Sequence, residues 1–475
     1  MQKTRIICTI GPATESYEML HKLYEAGMSI ARLNMSHGDH ESHAKVIQHI
    51  KSLNRKVKFP IPILLDTQGP EIRTGDLSNE LDLRQGDIVS VTTRGPMNVE
   101  ESSIHINYAD LLEAVNVGDR ITVDNGLINF EVLEKHERHM RCRVLDGGLL
   151  KSKRHVNLPG VRVNLPSITQ KDIKDILFGL ERDVDFIALS FVREAGDIQQ
   201  LKDLMGDKVG KVKIVAKIED QEGVRNLEAI IKESDGIMVA RGDLGVEINL
   251  EDLPNVQRTI VRLCAEYGKR VIVATHLLES MIHNPHPTRA EVTDVANAVF
   301  DGTSVVMLSG ETAVGHDPVL VVRTMADIAR RADEEFDYDG WGSRVHKLAS
   351  TMQPHVDDTV TNSMTNAAWR AATESGASAI ICVSRTGFTV RSIARFRPEA
   401  KILAFSTDPQ TLRQLTLSWG ATPHLLDVDH LDEDAVSRAV AIAREATEIR
   451  RGDLVAVLSG SKDYPGQATD TLRLI

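Results

Sequence analysis

The sequence predicts an α/β protein: a (β/α)8 TIM barrel with an inserted small all-β lid domain and a C-terminal open α/β domain. Three observations predict this fold. Eight short apolar runs alternate with amphipathic stretches. A long interval with a different residue pattern separates the third run from the fourth. The alternation of apolar and amphipathic segments restarts after residue 339. Apolar strands that alternate with helices are typical of a parallel sheet covered on both faces, and eight such units make a closed barrel.

The eight barrel strands are predicted from runs rich in Ile, Val, Leu and Ala. They lie at residues 4–10, 29–33, 61–65, 185–191, 212–218, 236–240, 270–274 and 303–308. Amphipathic stretches such as 171–181 and 256–267 are predicted helices between them. Thr169 followed by Asp172 is a capping pattern, which predicts that the first of these helices begins near Gln170.

The long interval predicts a small β domain at the top of the barrel. Segments 87–93, 120–123 and 138–145 have strand character and are separated by Gly-Asp turns. We therefore expect the barrel at 1–69 and 165–339, an inserted β-barrel lid domain at 70–164, and a C-terminal α/β domain at 340–475. Apolar runs at 378–384, 401–406 and 453–459 predict parallel strands in that last domain.

Composition argues against several classes of protein. The formal net charge is −12 and the pI is about 5.8, so nucleic acid or an acidic membrane is not expected as the main partner. The four cysteines are far apart and form no CxxC pair, which fits a reducing cytoplasm and predicts neither a zinc site nor disulfides. We see no N-terminal signal and no apolar run of about 18 residues, so we expect a soluble, cytoplasmic protein.

The fifth and sixth runs end in charged residues. Lys217 and Glu219 close the fifth run, and Arg241 and Asp243 close the sixth. Side chains alternate along a strand, so each pair is expected to point the same way. Two carboxylates on rigid elements suit a hard divalent cation such as Mg2+, and a nearby lysine suits an anion that develops during reaction. The alternative is a structural layer of salt bridges.

Polar residues end the other strands as well. The second run ends in Arg32, Asn34 and Ser36, the third in Asp66 and Thr67 with Arg73 nearby, the fourth in Ser190, and the seventh in Thr275. Each residue taken alone has an ordinary explanation as a cap, turn, core or surface residue. Taken together at one end of a barrel, they favour an active site for an anionic substrate, with Arg32, Lys217 and a divalent ion as its ligands. The short side chains with oxygen atoms in this set suit a monovalent cation. They are Asn34, Ser36, Asp66 and Thr67.

A second site is predicted in the C-terminal domain. The segment SRTGFTVR, Ser384 to Arg391, follows a predicted strand and enters a helix. Backbone N–H groups at a helix start, hydroxyl groups and Arg385 would form a cradle for a phosphate. The alternative is an ordinary strand–helix turn capped by hydroxyl groups.

The chain resembles pyruvate kinase over essentially its whole length. The matching segments are TRIICTIGPAT, ARLNMSHG, LLDTQGPEIRTG, VNLPG, VAKIEDQEG, MVARGDLGVEI, ATHLLESM, PTRAEVTDVANAV and MLSGETAVG. The resemblance implies transfer of a phosphoryl group from phosphoenolpyruvate to ADP, giving pyruvate and ATP at the last step of glycolysis. It also implies a barrel, a lid, a C-terminal domain that binds an allosteric effector, and usually a homotetramer.

The resemblance also implies roles for individual residues. Glu219 and Asp243 would bind Mg2+ (or Mn2+), and Lys217 would stabilise the phosphoryl group and the enolate. Arg32 would contact the phosphoryl side, and Gly242, Asp243 and Thr275 the carboxylate side. The implied K+ ligands are Asn34, Ser36, Asp66 and Thr67. The implied nucleotide-side residues are Arg73, Asn34, His37 and Lys171. The implied effector-phosphate residues are Ser384, Arg385, Thr386, Gly387 and Thr389. Arg241 becomes a supporting ion-pair residue.

The chain departs from the family pattern in places. Gln68 stands where many relatives have lysine, which removes a positive charge beside the site. Glu71 is retained; in the family a glutamate here goes with K+ dependence and a lysine with independence, so we expect activation by K+. Segment 459–466 lacks the Trp and Arg of relatives regulated by fructose 1,6-bisphosphate. A sugar monophosphate or a nucleotide monophosphate therefore also qualifies as the effector.

Two other functions fit part of the pattern. Mg2+-dependent aldolases and lyases on barrels also stabilise a pyruvate enolate, but they lack the inserted β domain and a nucleotide-side arginine such as Arg73. A non-catalytic metabolite sensor could use the C-terminal domain alone. The intact set of Lys217, Glu219 and Asp243 argues against the sensor.

Overall fold

The computed structural model describes residues 2–93, 103–161, 163–349, 356–428, 433–460 and 469–475. The chain begins with strands β1 (Arg5–Thr9), β2 (Ile30–Asn34) and β3 (Ile63–Asp66), which alternate with helices α1 (Tyr17–Ala26) and α2 (His40–Asn54). Almost every residue of these three strands is buried. This is the burial expected of strands that have helices on one side and a filled barrel interior on the other.

After β3 the chain forms a β-rich insert with its own apolar core. Six of its strands make one sheet in the order β11-β7-β8-β9-β5-β6, and β4 pairs with β10. Phe130, Val132 and Cys142 are fully buried in the core of this insert. The elements are β4 (Leu81–Leu83), β5 (Ile88–Thr92), β6 (Ser103–His105), α3 (Leu111–Ala114), β7 (Arg120–Val123), β8 (Ile128–Lys135), β9 (His139–Asp146), β10 (Gly148–Leu150) and β11 (Val156–Asn157).

The chain then returns to the barrel and completes it. Parallel pairing closes the barrel in the order β1-β16-β15-β14-β13-β12-β3-β2, which confirms the predicted fold. The elements are α4 (Gln170–Glu181), β12 (Phe186–Leu189), α5 (Ala195–Met205), β13 (Lys213–Ile218), α6 (Gln221–Arg225), α7 (Leu227–Glu233), β14 (Gly236–Ala240), α8 (Arg241–Glu247), α9 (Leu253–Glu266), β15 (Arg270–Ala274), α10 (Arg289–Phe300), β16 (Val305–Leu308), α11 (Gly310–Ala313) and α12 (Pro318–Glu334).

Side-chain alternation along the strands decides what fills the barrel. An apolar cluster at its centre is fully buried and includes Ile7, Ile30, Leu64 and Val215. Two residues further along the same four strands, the inward positions belong to Thr9, Arg32, Asp66 and Lys217. An apolar layer therefore supports a polar layer at the carboxyl ends of the strands.

The C-terminal part is an open α/β domain. Its sheet has the order β19-β18-β17-β20-β21, with β21 antiparallel to β20. The elements are α13 (Tyr338–Ala349), α14 (Val356–Ser375), β17 (Ala379–Val383), α15 (Phe388–Ala394), β18 (Lys401–Ser406), α16 (Pro409–Leu415), β19 (Ala421–Leu425), α17 (Glu433–Glu445), β20 (Val455–Ser459) and β21 (Thr471–Leu474). None of the helices that the structure describes is long and apolar enough to cross a membrane.

The C-terminal domain packs against the amino ends of the barrel strands. Leu417, which follows α16, is fully buried in the apolar cluster inside the barrel. Arg413 Nε donates to Asp185 Oδ1 at 2.8 Å, and the Arg5 guanidinium donates to the Ala421 carbonyl. Burial raises the pKa of Asp185 to about 6, although Arg413 opposes the shift. Barrel and C-terminal domain therefore share a core.

The polar ending of the sixth run is not part of its strand. Strand β14 ends at Ala240, and α8 begins at Arg241. The prediction that Arg241 and Asp243 share a strand face is therefore wrong. Residues two positions apart on a helix are rotated by about 200° and point in nearly opposite directions. Only Asp243 remains available to the site.

We predict that Leu417→Ala lowers stability because it opens a cavity in the core that the two domains share. A buried Leu→Ala change costs about 2–5 kcal/mol. The measurement is the free energy of unfolding in urea, or the shift in Tm.

The matched control is Leu425→Ala in the same domain, because Leu425 is 54% exposed. The control should change stability by less than about 0.5 kcal/mol. Equal effects of the two changes would contradict the packing of Leu417 inside the barrel.

Candidate active site

Lys217 lies at the centre of a buried charge cluster at the carboxyl ends of the strands. Its Nζ is 3.1 Å from Asp66 Oδ1, 3.0 Å from Glu219 Oε1 and 2.6 Å from Ser190 Oγ. Burial lowers the pKa of Lys217, but the Asp66 and Glu219 carboxylates outweigh burial and hold that pKa above its usual value. Lys217 is therefore a fixed positive charge, which suits it to stabilise an anion rather than to act as a base.

Asp66 connects Lys217 to Arg32. Its Oδ2 accepts a hydrogen bond from Arg32 Nε at 2.6 Å, and Arg32 Nη1 donates to Thr9 Oγ1 at 2.9 Å. Burial raises the pKa of Asp66, but the two cations outweigh burial and lower that pKa. One fully buried carboxylate therefore holds two cations side by side on the inner face of the barrel.

Glu219 and Asp243 are the carboxylates of the predicted Mg2+ site. Glu219 is buried and its Oε2 accepts a hydrogen bond from the Phe191 backbone N–H at 2.6 Å. Asp243 lies in the first turn of α8, with Oδ1 3.9 Å from His155 Nδ1. Burial raises the pKa of both carboxyls, Lys217 opposes both shifts, and the charge of Asp243 adds to the shift of Glu219. Such a pair suits a hard divalent cation, because the cation neutralises charges that burial destabilises.

Thr275 follows β15 in a strained conformation. Its φ is +67°, which is rare for a β-branched residue and typical of functional sites. Its Oγ1 accepts a hydrogen bond from the Gly242 N–H at 2.8 Å and donates to the Ala274 carbonyl at 2.6 Å. Arg241 Nη2 donates to the Thr275 carbonyl at 2.7 Å, and Nη1 pairs with Asp294 Oδ1 at 2.8 Å. Arg241 is thus a supporting ion-pair residue, as expected.

The residues predicted to bind K+ lie around the ends of β2 and β3. Asn34 is paired in register with Asp66, and Asn34 Oδ1 accepts a hydrogen bond from the Ser36 N–H at 3.2 Å. The Thr67 carbonyl accepts a hydrogen bond from Ser190 Oγ at 2.7 Å. Because β2 ends at Asn34, Ser36 lies in a turn and not on the strand face that simple alternation predicts.

Arg73 lies at the start of the insert in a small hydrogen-bonded cluster. Glu71 Oε2 accepts hydrogen bonds from Arg73 Nε and from Gln68 Nε2, both at 2.7 Å. Burial raises the pKa of Glu71, but these two hydrogen bonds outweigh burial and lower that pKa. Gln68 therefore helps to orient Glu71.

Two other predicted nucleotide-side residues differ in how they are held. Lys171 on α4 donates to Asp175 Oδ2 at 2.7 Å and to the Met35 carbonyl. His37 lies in the turn after β2 and its side chain is exposed. Lys171 is thus fixed against the barrel, whereas His37 faces the solvent.

The predicted phosphate loop connects β17 to α15. Ser384 Oγ accepts a hydrogen bond from the Gly387 N–H at 3.1 Å, and Thr389 Oγ1 is hydrogen-bonded to Thr469 Oγ1 at 2.5 Å. Two of the predicted hydroxyl groups are therefore engaged within the domain. The exposed residues of the loop are Arg385 and Thr386. Residues 461–466 of the other predicted effector segment lie outside the described residues.

Sequence patterns assign no individual role to three residues that the structure places in this site. Ser190 was recognisable only as a strand end, and its contact with Lys217 depends on how neighbouring strands pack. Thr9 could have been found by alternation from Ile7. His155 belongs to the insert, and only tertiary packing brings it near Asp243.

Two family models match the chain. The pyruvate kinase barrel domain matches residues 1–322, and the pyruvate kinase alpha/beta domain matches residues 362–475. The chain belongs to the pyruvate kinase family.

Curated relatives agree with the family models. The chain is 42% identical to the pyruvate kinase of Staphylococcus haemolyticus over 477 residues, which cover 100% of this chain and 80% of the relative. It is 42% identical to that of Geobacillus stearothermophilus over 467 residues, and 41% identical to that of Staphylococcus epidermidis over 462 residues. Each of these two alignments covers 97% of this chain and 78% of the relative.

Membership of the pyruvate kinase family makes the protein a phosphotransferase and confirms the resemblance that the motifs indicate. The non-catalytic sensor and the barrel aldolase or lyase are thereby set aside. In this pyruvate kinase family member, the charge cluster around Lys217 lies at the end of the barrel where enzymes with this fold have their active sites.

A cavity of about 210 Å³ separates the insert from the barrel beside this site. Asn157 of β11 connects the two sides of this cavity. The Nδ2 of Asn157 donates a hydrogen bond at 2.9 Å to Oε1 of Glu247, the last residue of α8. Burial raises the pKa of Glu247 to about 7, although the hydrogen bond from Asn157 opposes the shift. The insert therefore contacts the helix of Asp243 through a carboxyl that titrates near neutral pH.

We predict that Glu247→Gln stabilises the protein at pH 8 and not at pH 5. In the folded protein Glu247 keeps its proton up to about pH 7, while the unfolded chain releases it near pH 4.5. Between these values the unfolded state binds fewer protons, so wild-type stability falls as pH rises, by up to about 1 kcal/mol per pH unit. Glu247→Gln has no proton to release in this range, so its stability does not fall in this way.

The measurement is the Tm of both proteins across this pH range, with Glu251→Gln as the control because Glu251 is exposed. The difference between variant and wild type should grow with pH for Glu247→Gln and stay flat for the control. A pH-independent difference for Glu247→Gln would contradict the raised pKa.

Proposed function

We propose that the protein transfers the phosphoryl group of phosphoenolpyruvate to ADP, giving pyruvate and ATP, as the last step of glycolysis. The observation that carries this proposal is the ammonium of Lys217, held between Asp66 and Glu219 at the carboxyl ends of the barrel strands. Phosphoryl transfer depends on positioning and charge neutralisation more than on covalent chemistry. A fixed cation beside a carboxylate pair supplies both.

Arg32 and Lys217 would bind the phosphoryl side of the substrate. Asp66 orients both cations, so little reorganisation is needed when negative charge moves from the phosphoryl group to the enolate oxygen. Lys217 would then stabilise the enolate until it is protonated at carbon. Thr275 with a bound water is a candidate for that proton relay.

Glu219 and Asp243 would hold Mg2+ or Mn2+. When bound, the divalent cation would neutralise the negative charge on oxygens of the substrate and hold these oxygens in place. The structure describes no group of three or more His, Cys, Asp and Glu side chains arranged for a metal. Two protein carboxylates fit Mg2+, which usually keeps several ligand positions for water and substrate oxygens.

The carboxylate end of the substrate would lie against the start of α8. The Gly242 N–H and the Thr275 hydroxyl are hydrogen-bonded to each other at 2.8 Å. Both groups could instead donate hydrogen bonds to the carboxylate of the substrate. The Asp243 backbone lies beside them. Arg241 would keep the Thr275 carbonyl in place during this exchange.

Potassium would bind at Asn34, Ser36, Asp66 and Thr67. The pairing of Asn34 with Asp66 and the nearby turn at Ser36 support this proposal, because they gather oxygen donors at adjacent strand ends. The nucleotide would lie on the side of Arg73, Asn34, His37 and Lys171. The insert at 70–164 would act as a lid that excludes water from the phosphoryl group.

The remaining proposals rest on the family resemblance. The C-terminal domain at 340–475 would bind a phosphorylated metabolite through Ser384, Arg385, Thr386, Gly387 and Thr389. The exposed positions of Arg385 and Thr386 support access to this loop. The protein would be a cytoplasmic homotetramer.

We predict that Lys217→Met lowers kcat by at least about a hundredfold, because a preorganised charge that stabilises the transition state is lost. The measurement is the steady-state rate of pyruvate formation from phosphoenolpyruvate and ADP. The control is Lys211→Met, an exposed lysine just before the same strand. A fall of less than about tenfold for Lys217→Met would remove the basis of the proposed mechanism.

We predict that K+ activates the wild-type protein and that Glu71→Lys makes it largely independent of K+. The introduced ammonium would supply the positive charge that K+ supplies. The measurement is the rate in K+ and in tetramethylammonium at equal ionic strength.

Glu71→Gln is the control, because it keeps an acceptor for Arg73 and Gln68 but adds no cation. Equal wild-type rates in the two salts would contradict the proposed K+ site.

A further inference from the structure

A small cavity lies between the amino ends of the barrel strands and the C-terminal domain. Its volume is about 30 Å³. We name it the interdomain cavity; its cationic lining residues are Lys269, Arg270, Arg391, Arg395 and Arg397. The lining residues that the structure describes include no Asp or Glu. The charged residues that line the cavity are therefore all cationic, and the cavity lies at the opposite end of the barrel from Lys217.

Two carboxylates outside the lining interact with some of these cations. Asp235 interacts with Arg270 and Arg391, and Asp333 interacts with Arg397. Burial lowers the pKa of Arg270 to about 9 and that of Arg397 to about 10. The environment therefore disfavours these charges, and an anion in the cavity would relieve that cost.

Two buried guanidinium groups in the cavity have donors without an acceptor among the residues that the structure describes. Arg270, 3% exposed, donates Nε to Ser418 Oγ at 3.3 Å, but its Nη1 and Nη2 have no partner. Arg397, 2% exposed, donates Nη2 to the Thr303 carbonyl, but its Nη1 has no partner. Buried donors normally have a hydrogen-bond partner, and a buried donor without one destabilises the folded state. These donors indicate an acceptor that the described part of the chain does not supply.

Aromatic rings hold Arg397 in place. Its guanidinium carbon is 4.8 Å from the ring centroid of Phe336, 5.3 Å from that of Trp341 and 4.9 Å from that of Trp419. Such packing fixes the plane of the guanidinium, so its free donor has a defined direction. The side chain is therefore preorganised for a ligand.

We propose that the interdomain cavity is an anion site that takes the phosphoryl group of inorganic phosphate or of a phosphate monoester. Arginine forks match the oxygens of a phosphoryl group. The rest of a larger ligand would extend past the partly exposed Gly268 and Lys269.

The cavity is separate from the predicted phosphate loop but is connected to it. Arg391 lies on α15, which follows that loop, and its Nη1 donates to the Thr386 carbonyl at 2.9 Å. On the barrel side, Arg270 begins β15, and Thr275 follows the last residue of the same strand. An anion bound by Arg270 and Arg397 would connect the C-terminal domain to the strand that ends just before Thr275.

Intrinsic tryptophan fluorescence reports on this site directly. The chain has three tryptophans, and Trp341 and Trp419 line the cavity. The experiment titrates the full chain with inorganic phosphate, and in a second arm with glucose 6-phosphate, against chloride at equal ionic strength. We expect a saturable fluorescence change and a rise in Tm with phosphate, and neither with chloride. The arm with the lower Kd identifies the source of the phosphoryl group.

Variants locate the signal. Arg270→Met should raise the Kd from fluorescence by about tenfold or more, because charge-assisted hydrogen bonds are lost. It should fold, because it removes a buried charge with unmet donors and keeps a long side chain. If it does not fold, Arg270→Lys tests the same point by keeping a charge and losing the fork. The control Arg385→Ala alters the predicted phosphate loop and should leave the signal unchanged.

Three results would each overturn the proposal. One is an equal phosphate response in wild type and in the Arg270 variant that folds. Another is loss of the response in Arg385→Ala, which would place the bound phosphate in the predicted loop instead. A response that chloride reproduces at equal ionic strength would also exclude a phosphoryl site.

Discussion

The buried contact of Lys217 with Asp66 and Glu219 is the interaction on which the upper half of the barrel depends. Two carboxylates this deeply buried are stable as anions only if a cation lies between them, and removal of one member of a buried pair is costly because it leaves an uncompensated charge. Lys217 belongs to β13 and Asp66 to β3, so the same contact joins strands that are not neighbours. The geometry of the candidate active site and the packing of the barrel therefore have one physical cause.

Buried charges are compensated differently at the two ends of the barrel. At the carboxyl ends, Asp66 balances Lys217 and Arg32, and a bound metal would balance Glu219 and Asp243. At the amino ends, the C-terminal domain inserts Leu417 and surrounds Arg270, which keeps free donors. Strand β15 runs from one end to the other. Strand β15 therefore gives a structural change in the C-terminal domain a short connection to the candidate active site.

The fold follows from the sequence because buried parallel strands are continuous apolar runs, and all eight barrel runs became strands within a few residues of the predicted bounds. Strand β19 was not predicted, since Thr422, Pro423 and His424 interrupt its apolar pattern. The strand position of Arg241 was wrong, because alternation says nothing about where a strand becomes a helix. Contacts such as those of Ser190 and His155 depend on tertiary packing, which local patterns do not contain.

Phosphoryl transfer from phosphoenolpyruvate to ADP is the central claim, and coupled product formation tests it most directly. Purified protein with Mg2+ and K+ would be given phosphoenolpyruvate with and without ADP, and pyruvate and ATP would be measured in the same reaction. The structure predicts equal amounts of pyruvate and ATP, and no pyruvate without ADP. Pyruvate release that does not require ADP would contradict the claim.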